Sequence, residues 1–204
     1  MTIIELARIS LKNGVTATDA TLKQNLKEVK RVIEEYSKLT TLFYTQIDDA
    51  TSMFVIGAWE TKDQHQRGFD GSAQQGEILK LVEDQMDIDW MHYMDIEQHR
   101  IPLDAPVLMV LKAVLARHVH RLAVDNEFAE GTATLGGARY GAVSAWNIPK
   151  DHKEHAVRVH FSGWDTTDEA VESVASIIAA GRGDGFVEHT LESMLFLMKR
   201  TELD

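Results

Sequence analysis

The sequence predicts an α+β fold made of two tandem ferredoxin-like βαββαβ units, residues 1–99 and 106–204, with a linker over 100–105. Three observations predict it. Strand-like and helix-like hydrophobic periods follow in the order β-α-β-β-α-β, and that order then repeats. A strand that ends in Trp, an acidic residue and Thr occurs once in each half, at Trp59-Glu60-Thr61 and Trp164-Asp165-Thr166, with the tryptophans 105 residues apart in a chain of 204. That spacing, about half the chain, is what an internal duplication requires. Pro102 and Pro106 punctuate the stretch between the halves.

In the first half, residues 3–10 alternate as a strand, with Ile4 and Leu6 on one face and Ile3, Glu5, Ala7 and Ile9 on the other. Asn13-Gly14 signals a turn, and Thr16 to Asp19 offer caps for a helix. Leu22, Leu26, Val29, Ile33 and Tyr36 then recur at helical spacing. Residues 39–47 and 53–60 read as two strands joined at Asp48-Asp49. Thr61 caps a short helix reaching about Gly68, and a second helical piece from Ser72 or Ala73 to Glu83 is apolar through Ile78, Leu79, Leu81 and Val82. Residues 87–97 form a fourth strand, with Trp90, His92, Met94 and Ile96 on one face and Met91, Tyr93 and Asp95 on the other.

The second half repeats the series. Residues 107–114 are a strand, a helix covers roughly 117–128, and Gly136-Gly137 breaks it. Residues 140–148 and 155–164 are strands around a charged loop at 149–154. Residues 166–180 are a helix with Ala170, Val171, Val174, Ile177 and Ile178 inward. Gly181, Gly183 and Gly185 make a loop, and residues 191–200 are a last, apolar strand.

Apolar residues make up 44% of the chain, enough for a real core, and the formal net charge is −11. An acidic balance argues against nucleic acid, whose binding needs clustered Lys and Arg. The absence of cysteine removes disulfides, thiolate nucleophiles and Cys-type zinc sites, and fits a reducing compartment. The N-terminal residues carry Glu5 and Arg8 and do not read as a signal peptide. The apolar stretch 105–115 is interrupted by Lys112 and is too short to span a bilayer. The expectation is a soluble, cytoplasmic protein with no membrane partner.

With Gly57-Ala58-Trp59-Glu60-Thr61 followed by His65, and Asp89-Trp90-Met91-His92-Tyr93-Met94-Asp95 further on, residues 1–99 resemble the antibiotic biosynthesis monooxygenase (ABM) domain of the dimeric α/β-barrel superfamily. They are similar in particular to the two-repeat members of filamentous fungi, many of which lie near secondary-metabolite genes. Over 105–204 the likeness is carried by Trp164 and the order of elements. The resemblance implies two units closing a (pseudo)dimeric α/β barrel, as a monomer with an internal pseudo-dimer or as a homodimer. It implies a cavity between sheet and helices. Relatives oxidise phenols or anthrones with O₂ and no cofactor, degrade haem, cyclise polyketides, or have no known chemistry. Haem-degrading relatives place an axial His about ten residues after the Trp; here Phe69 stands there.

The candidate catalytic residues are His65 and His92, and the candidate substrate-binding residues are Trp59, Tyr44, Tyr93 and Trp90. Trp59 is either a ligand contact, as in haem-degrading relatives, or a core anchor between helix and sheet. His65 is either a general base for a phenolic proton, which an imidazole near neutrality suits, or an exposed histidine between Gln64 and Gln66. The matching position in the second half, counted from the tryptophans, is Ala170. His92 either lines a cavity or is a buried histidine satisfied by the backbone; Tyr44 is a substrate hydrogen-bond partner or packing. His118 and His120, and the group His152, His155 and His160, lack the carboxylate pattern of a metal site, and no metal is expected. Gly181 to Gly185 follows a helix rather than opening one, so it is a link and not a phosphate cradle. The reading is a cofactor-independent monooxygenase acting on a small aromatic or polyketide molecule. The alternatives are a polyketide cyclase, and a ligand-binding or structural barrel without chemistry.

Overall fold

The computed structural model of the chain describes residues 2–12, 14–116, 121, 125, 137–149, 154–179 and 190–203. Most of the expected helix over 117–128, Asn13, Gly136, most of the 149–154 loop and the Gly181–Gly185 link lie outside the described residues, as do His118, His120 and His152. The chain divides into two compact units, one of residues 1–98 with 199–204 and one of residues 99–198.

In the first unit, β1 (Ile3–Leu11), α1 (Ala20–Ser37), β2 (Thr41–Gln46), β3 (Ser52–Trp59), a π-helical turn (Gln64–Phe69), α2 (Ala73–Val82) and β4 (Met86–Met94) follow in order. The sheet order is β4-β1-β3-β2, with every described pairing antiparallel. This is how a βαββαβ chain lays out its strands: each helical crossover skips one position, and the skipped position receives the strand of the other crossover. All eight residues of the inner strand β3 are buried, whereas β4 at the edge is exposed through Asp87, Ile88 and Asp89.

The α1 ends are chemically defined. Asp19 accepts hydrogen bonds from the Thr21 and Leu22 N–H groups, and Leu22, Leu26 and Val29 face the core. The helix stops at Lys38 in the left-handed region (φ 61°), whose N–H bonds the Glu34 carbonyl. Ser72 caps α2 by accepting from Gln75 N–H. In α2 only Ile78 and Val82 are buried; Leu79 and Leu81, expected on its apolar face, are about 40% exposed (44% and 40%). A ten-residue helix shows one narrow stripe, and its neighbours i+1 and i+3 from Ile78 turn out of it.

In the second unit, β5 (Val107–Leu115), β6 (Ala142–Trp146), β7 (Val157–Trp164), α3 (Thr167–Ala179) and β8 (Thr190–Arg200) give the order β8-β5-β7-β6. Val107, Met109, Trp164 and Ala170 form a core cluster, with Val174 and Leu197 packed on it. Val171, expected inward, is 48% exposed, because it stands one residue round the helix from Ala170. No helix among the described residues is long and apolar enough to cross a membrane.

Candidate active site

Strand alternation puts Glu5, Trp59 and Tyr93 on one face of the first sheet. Register sets Glu5 directly between Gly57 on β3 and Tyr93 on β4, and Trp59 opposite Ile3. The π-helical turn carries His65 onto this face. Thr61 Oγ1 accepts from Gln64 N–H to start the turn, and Asp70 N–H bonds the His65 carbonyl five residues back. The wide turn lays His65 and Phe69 on the same side, and both are buried. His65 is therefore not the exposed histidine that its glutamine neighbours suggest; it is 5% exposed.

Five polar side chains meet there. Trp59 Nε1–H donates to Glu5 Oε2 at 2.7 Å. His65 Nδ1 is hydrogen-bonded to the Tyr93 hydroxyl. His65 Nε2 lies 3.4 Å from Glu5 Oε2 and 3.6 Å from Asp70 Oδ1. The Trp59 ring packs on the imidazole with centroids 4.2 Å apart, and Phe69 stacks on it at 5.9 Å. Tyr36 of α1 closes the aromatic wall against Phe69 and Trp59, at 5.1 and 6.4 Å.

Burial raises the Glu5 carboxyl to about 7, against the Trp59 hydrogen bond that lowers it, and the nearby Asp70 charge adds to the rise. Burial, then the charges of Glu5 and Asp70, push the Tyr93 phenol well above its ordinary range. At neutral pH Tyr93 is a phenol, which can donate to His65 Nδ1. In the tautomer where Nδ1 accepts, Nε2–H faces Glu5 and Asp70. The arrangement is a phenol–imidazole–carboxyl relay. Its last member is poised to take or give a proton near neutrality. Gln66 also hydrogen-bonds Tyr93, Lys62 Nζ stands 5.7 Å over the Tyr93 ring, and the Asp70 side chain is 38% exposed, so the relay has polar groups on its outer side.

The other candidates are on the opposite face of the sheet. His92 and Trp90 stack there at 5.2 Å, Trp90 meets Phe54 edge-on at 6.2 Å, and Tyr44, paired with Phe54 in register, is fully buried. The structure thus brings Trp59, His65 and Tyr93 together and holds His92, Trp90 and Tyr44 apart from them. Glu5 is the member that sequence reasoning passed over. Its signal was a lone carboxylate on a strand face otherwise made of Ile3, Ala7 and Ile9.

The second unit is an internal control. Met109 occupies the register position of Glu5, between Ser162 and Leu197 as Glu5 lies between Gly57 and Tyr93. Ala170 stands where His65 does, six residues past the tryptophan, and is buried in the cluster with Trp164 and Met109. Trp164 keeps its hydrogen bond but gives it to Ser162 Oγ at 2.9 Å. Glu5, His65 and Tyr93 are thus answered by Met109, Ala170 and Leu197. Elsewhere in this unit His155 Nδ1–H donates to the Leu115 carbonyl, and His160 Nδ1 bonds Ser144 Oγ at 2.9 Å. Burial, then Arg158, lower His160 to about 4, so it is neutral at physiological pH. Among the described residues no three His, Cys, Asp or Glu side chains form a metal-binding group.

No family model and no curated protein matches the chain. Solved structures do. A monooxygenase candidate from Fusobacterium nucleatum superposes with a TM-score of 0.63 at 7% identity, over 98% of this chain and 93% of that one. An anthrone oxidase-like protein gives 0.63 at 12% identity, over 98% and 92%. A chlorite dismutase from Candidatus Nitrospira defluvii gives 0.63 at 9% identity, over 100% and 92%. At such identities the likeness is one of fold, that of the dimeric α/β-barrel proteins.

Proposed function

We propose that the chain is an ABM-like, cofactor-independent monooxygenase of an aromatic polyketide or phenol, working in the cytoplasm in secondary metabolism. The observation that carries the reading is the buried Tyr93–His65–Glu5 relay, built into one unit and replaced by apolar side chains in the other. A phenol or enol bound against Tyr93 passes its proton to the tyrosyl oxygen while Tyr93 passes its own to His65 Nδ1. His65 Nε2–H in turn protonates Glu5, whose value of about 7 suits that role. Trp59 holds the Glu5 oxygen in place. The electron-rich anion then reacts with O₂ directly: an anthrone methylene becomes a carbonyl, and the second oxygen atom leaves as water. His92, Trp90 and Tyr44, on the far face, take no part in this relay.

Anthrones and phenols are incubated under air with the protein and with H65A, and O₂ uptake is followed. The wild type consumes both reactants, and H65A slows by about a hundredfold or more. No uptake across a broad phenol panel ends the oxygenase reading. Conversion that continues without O₂ identifies the cyclase alternative, in which the same His–Tyr pair promotes an aldol-type ring closure. Light scattering of the same preparation separates the monomer from the homodimer.

One observation favours a third reading, a ligand-binding or structural barrel without chemistry. The His65 ring is covered by Trp59 and Phe69, and both nitrogens face protein groups. A relay kept only for packing gives no turnover and no response to H65A beyond stability.

A further inference from the structure

A pocket of about 180 Å³ in the first unit shares no lining residue with the Glu5–His65 cluster. Its walls come from α1, from the start of β2 and from residues 200–203. Those last residues are fixed along β2: Thr201 N–H donates to the Phe43 carbonyl at 2.9 Å, and the Thr201 and Thr45 hydroxyls are 2.7 Å apart.

Three cations line it, Lys27, Lys30 and Arg200. Lys30 is already used by the fold. It pairs with Glu34 and donates to the Thr41 carbonyl at 2.9 Å, while Glu34 accepts from Thr41 N–H at 2.8 Å. Among the described residues no carboxylate lies within 4 Å of Lys27 or Arg200, in a chain with a net charge of −11. Thr41 also lines the pocket. Its side chain is wholly buried, with the hydroxyl beside Gly57 and the Trp59 indole rather than at the pocket surface. Phe43 and Leu203 add apolar wall.

We infer that this pocket binds a small organic monocarboxylate, with Lys27 and Arg200 facing the anion and Phe43 and Leu203 against the carbon body. The charge count decides for a monoanion. With Lys30 neutralised by Glu34 and with Glu202 in the wall, the surplus is one positive charge, too little for a phosphate dianion. This inference stands apart from the oxygenase reading, and its test uses no turnover.

The test is a titration of the full chain with sodium benzoate, followed by amide chemical shifts and calorimetry. Benzamide serves as the neutral isostere and inorganic phosphate as the competing anion. Saturable benzoate binding is expected, with shifts at Thr41 and Thr201, weakening as salt rises. Lys27→Gln and Arg200→Gln should each weaken it by about tenfold. Both side chains are on exposed residues, so the variants keep the wild-type melting temperature. The inference is overturned if benzamide binds as well as benzoate, if phosphate binds more tightly, if the two charge variants bind normally, or if no saturable shift occurs.

Discussion

At the residue scale, Glu5 governs how the first unit responds to pH. Its folded-state value of about 7 stands above the ordinary 4.5, so the folded protein holds that proton more tightly than the unfolded chain. The contribution to stability is therefore complete below about 4.5 and is lost as pH rises through about 7. At about 1.4 kcal/mol per unit the loss amounts to roughly 3 kcal/mol, and at 7% exposure little of it is screened. Glu5→Gln keeps an acceptor for Trp59 and removes the titration. Urea unfolding should find the variant equal to wild type near pH 4.5 and more stable by up to about 3 kcal/mol near pH 8. Asp70→Asn removes one cause of the rise and should move the wild-type decline to lower pH. A Glu5→Gln curve that keeps the wild-type slope sinks the assignment.

At the element scale, the π-helical turn decides whether there is a site at all, and it is where the sequence was least legible. Strand and helix periods located β1, α1, β2 and β3 to within about two residues, because each buries a face set by its own spacing. The caps at Asp19 and Thr61 were legible for the same local reason. Residues Gln64 to Phe69 have no such period: His65 and Phe69 share a side only because the turn is wide. Glu5 was hidden differently, since its partners Trp59, His65 and Tyr93 come from three other segments of the chain. The turn depends on Gly68, where an added Cβ would stand 2.5 Å from the Tyr36 hydroxyl and 3.6 Å from its ring carbon. Gly68→Ala should cost about 1–3 kcal/mol. Tyr36→Phe in the same chain should return most of that, because only the hydroxyl is too close. A double variant no more stable than Gly68→Ala alone means that the turn's backbone, not this contact, needs the glycine.

At the scale of the whole molecule, two units with the same strand order treat the same positions in opposite ways. Around Trp164 the positions of Glu5, His65 and Tyr93 hold Met109, Ala170 and Leu197, and that layer packs as an apolar core. The fold of a unit therefore does not need the polar set. A buried polar cluster exchanged for apolar groups of similar shape is often neutral or stabilising by about 1–4 kcal/mol. The triple variant Glu5→Met, His65→Leu, Tyr93→Phe removes every polar atom of the relay and leaves the volume nearly filled. Trp59 Nε1–H loses its Glu5 acceptor in this variant, at a cost of about 1–3 kcal/mol; we expect it to fold with an unchanged circular-dichroism spectrum and a melting temperature lowered by no more than that cost implies, while oxygen-dependent turnover disappears. That combination separates a functional cluster from a structural one, since a structural one fails on the first measurement. Collapse of the first unit in the triple variant would show that the two units solve their cores by different means. The Tyr93–His65–Glu5 cluster would then be an element of packing rather than of chemistry.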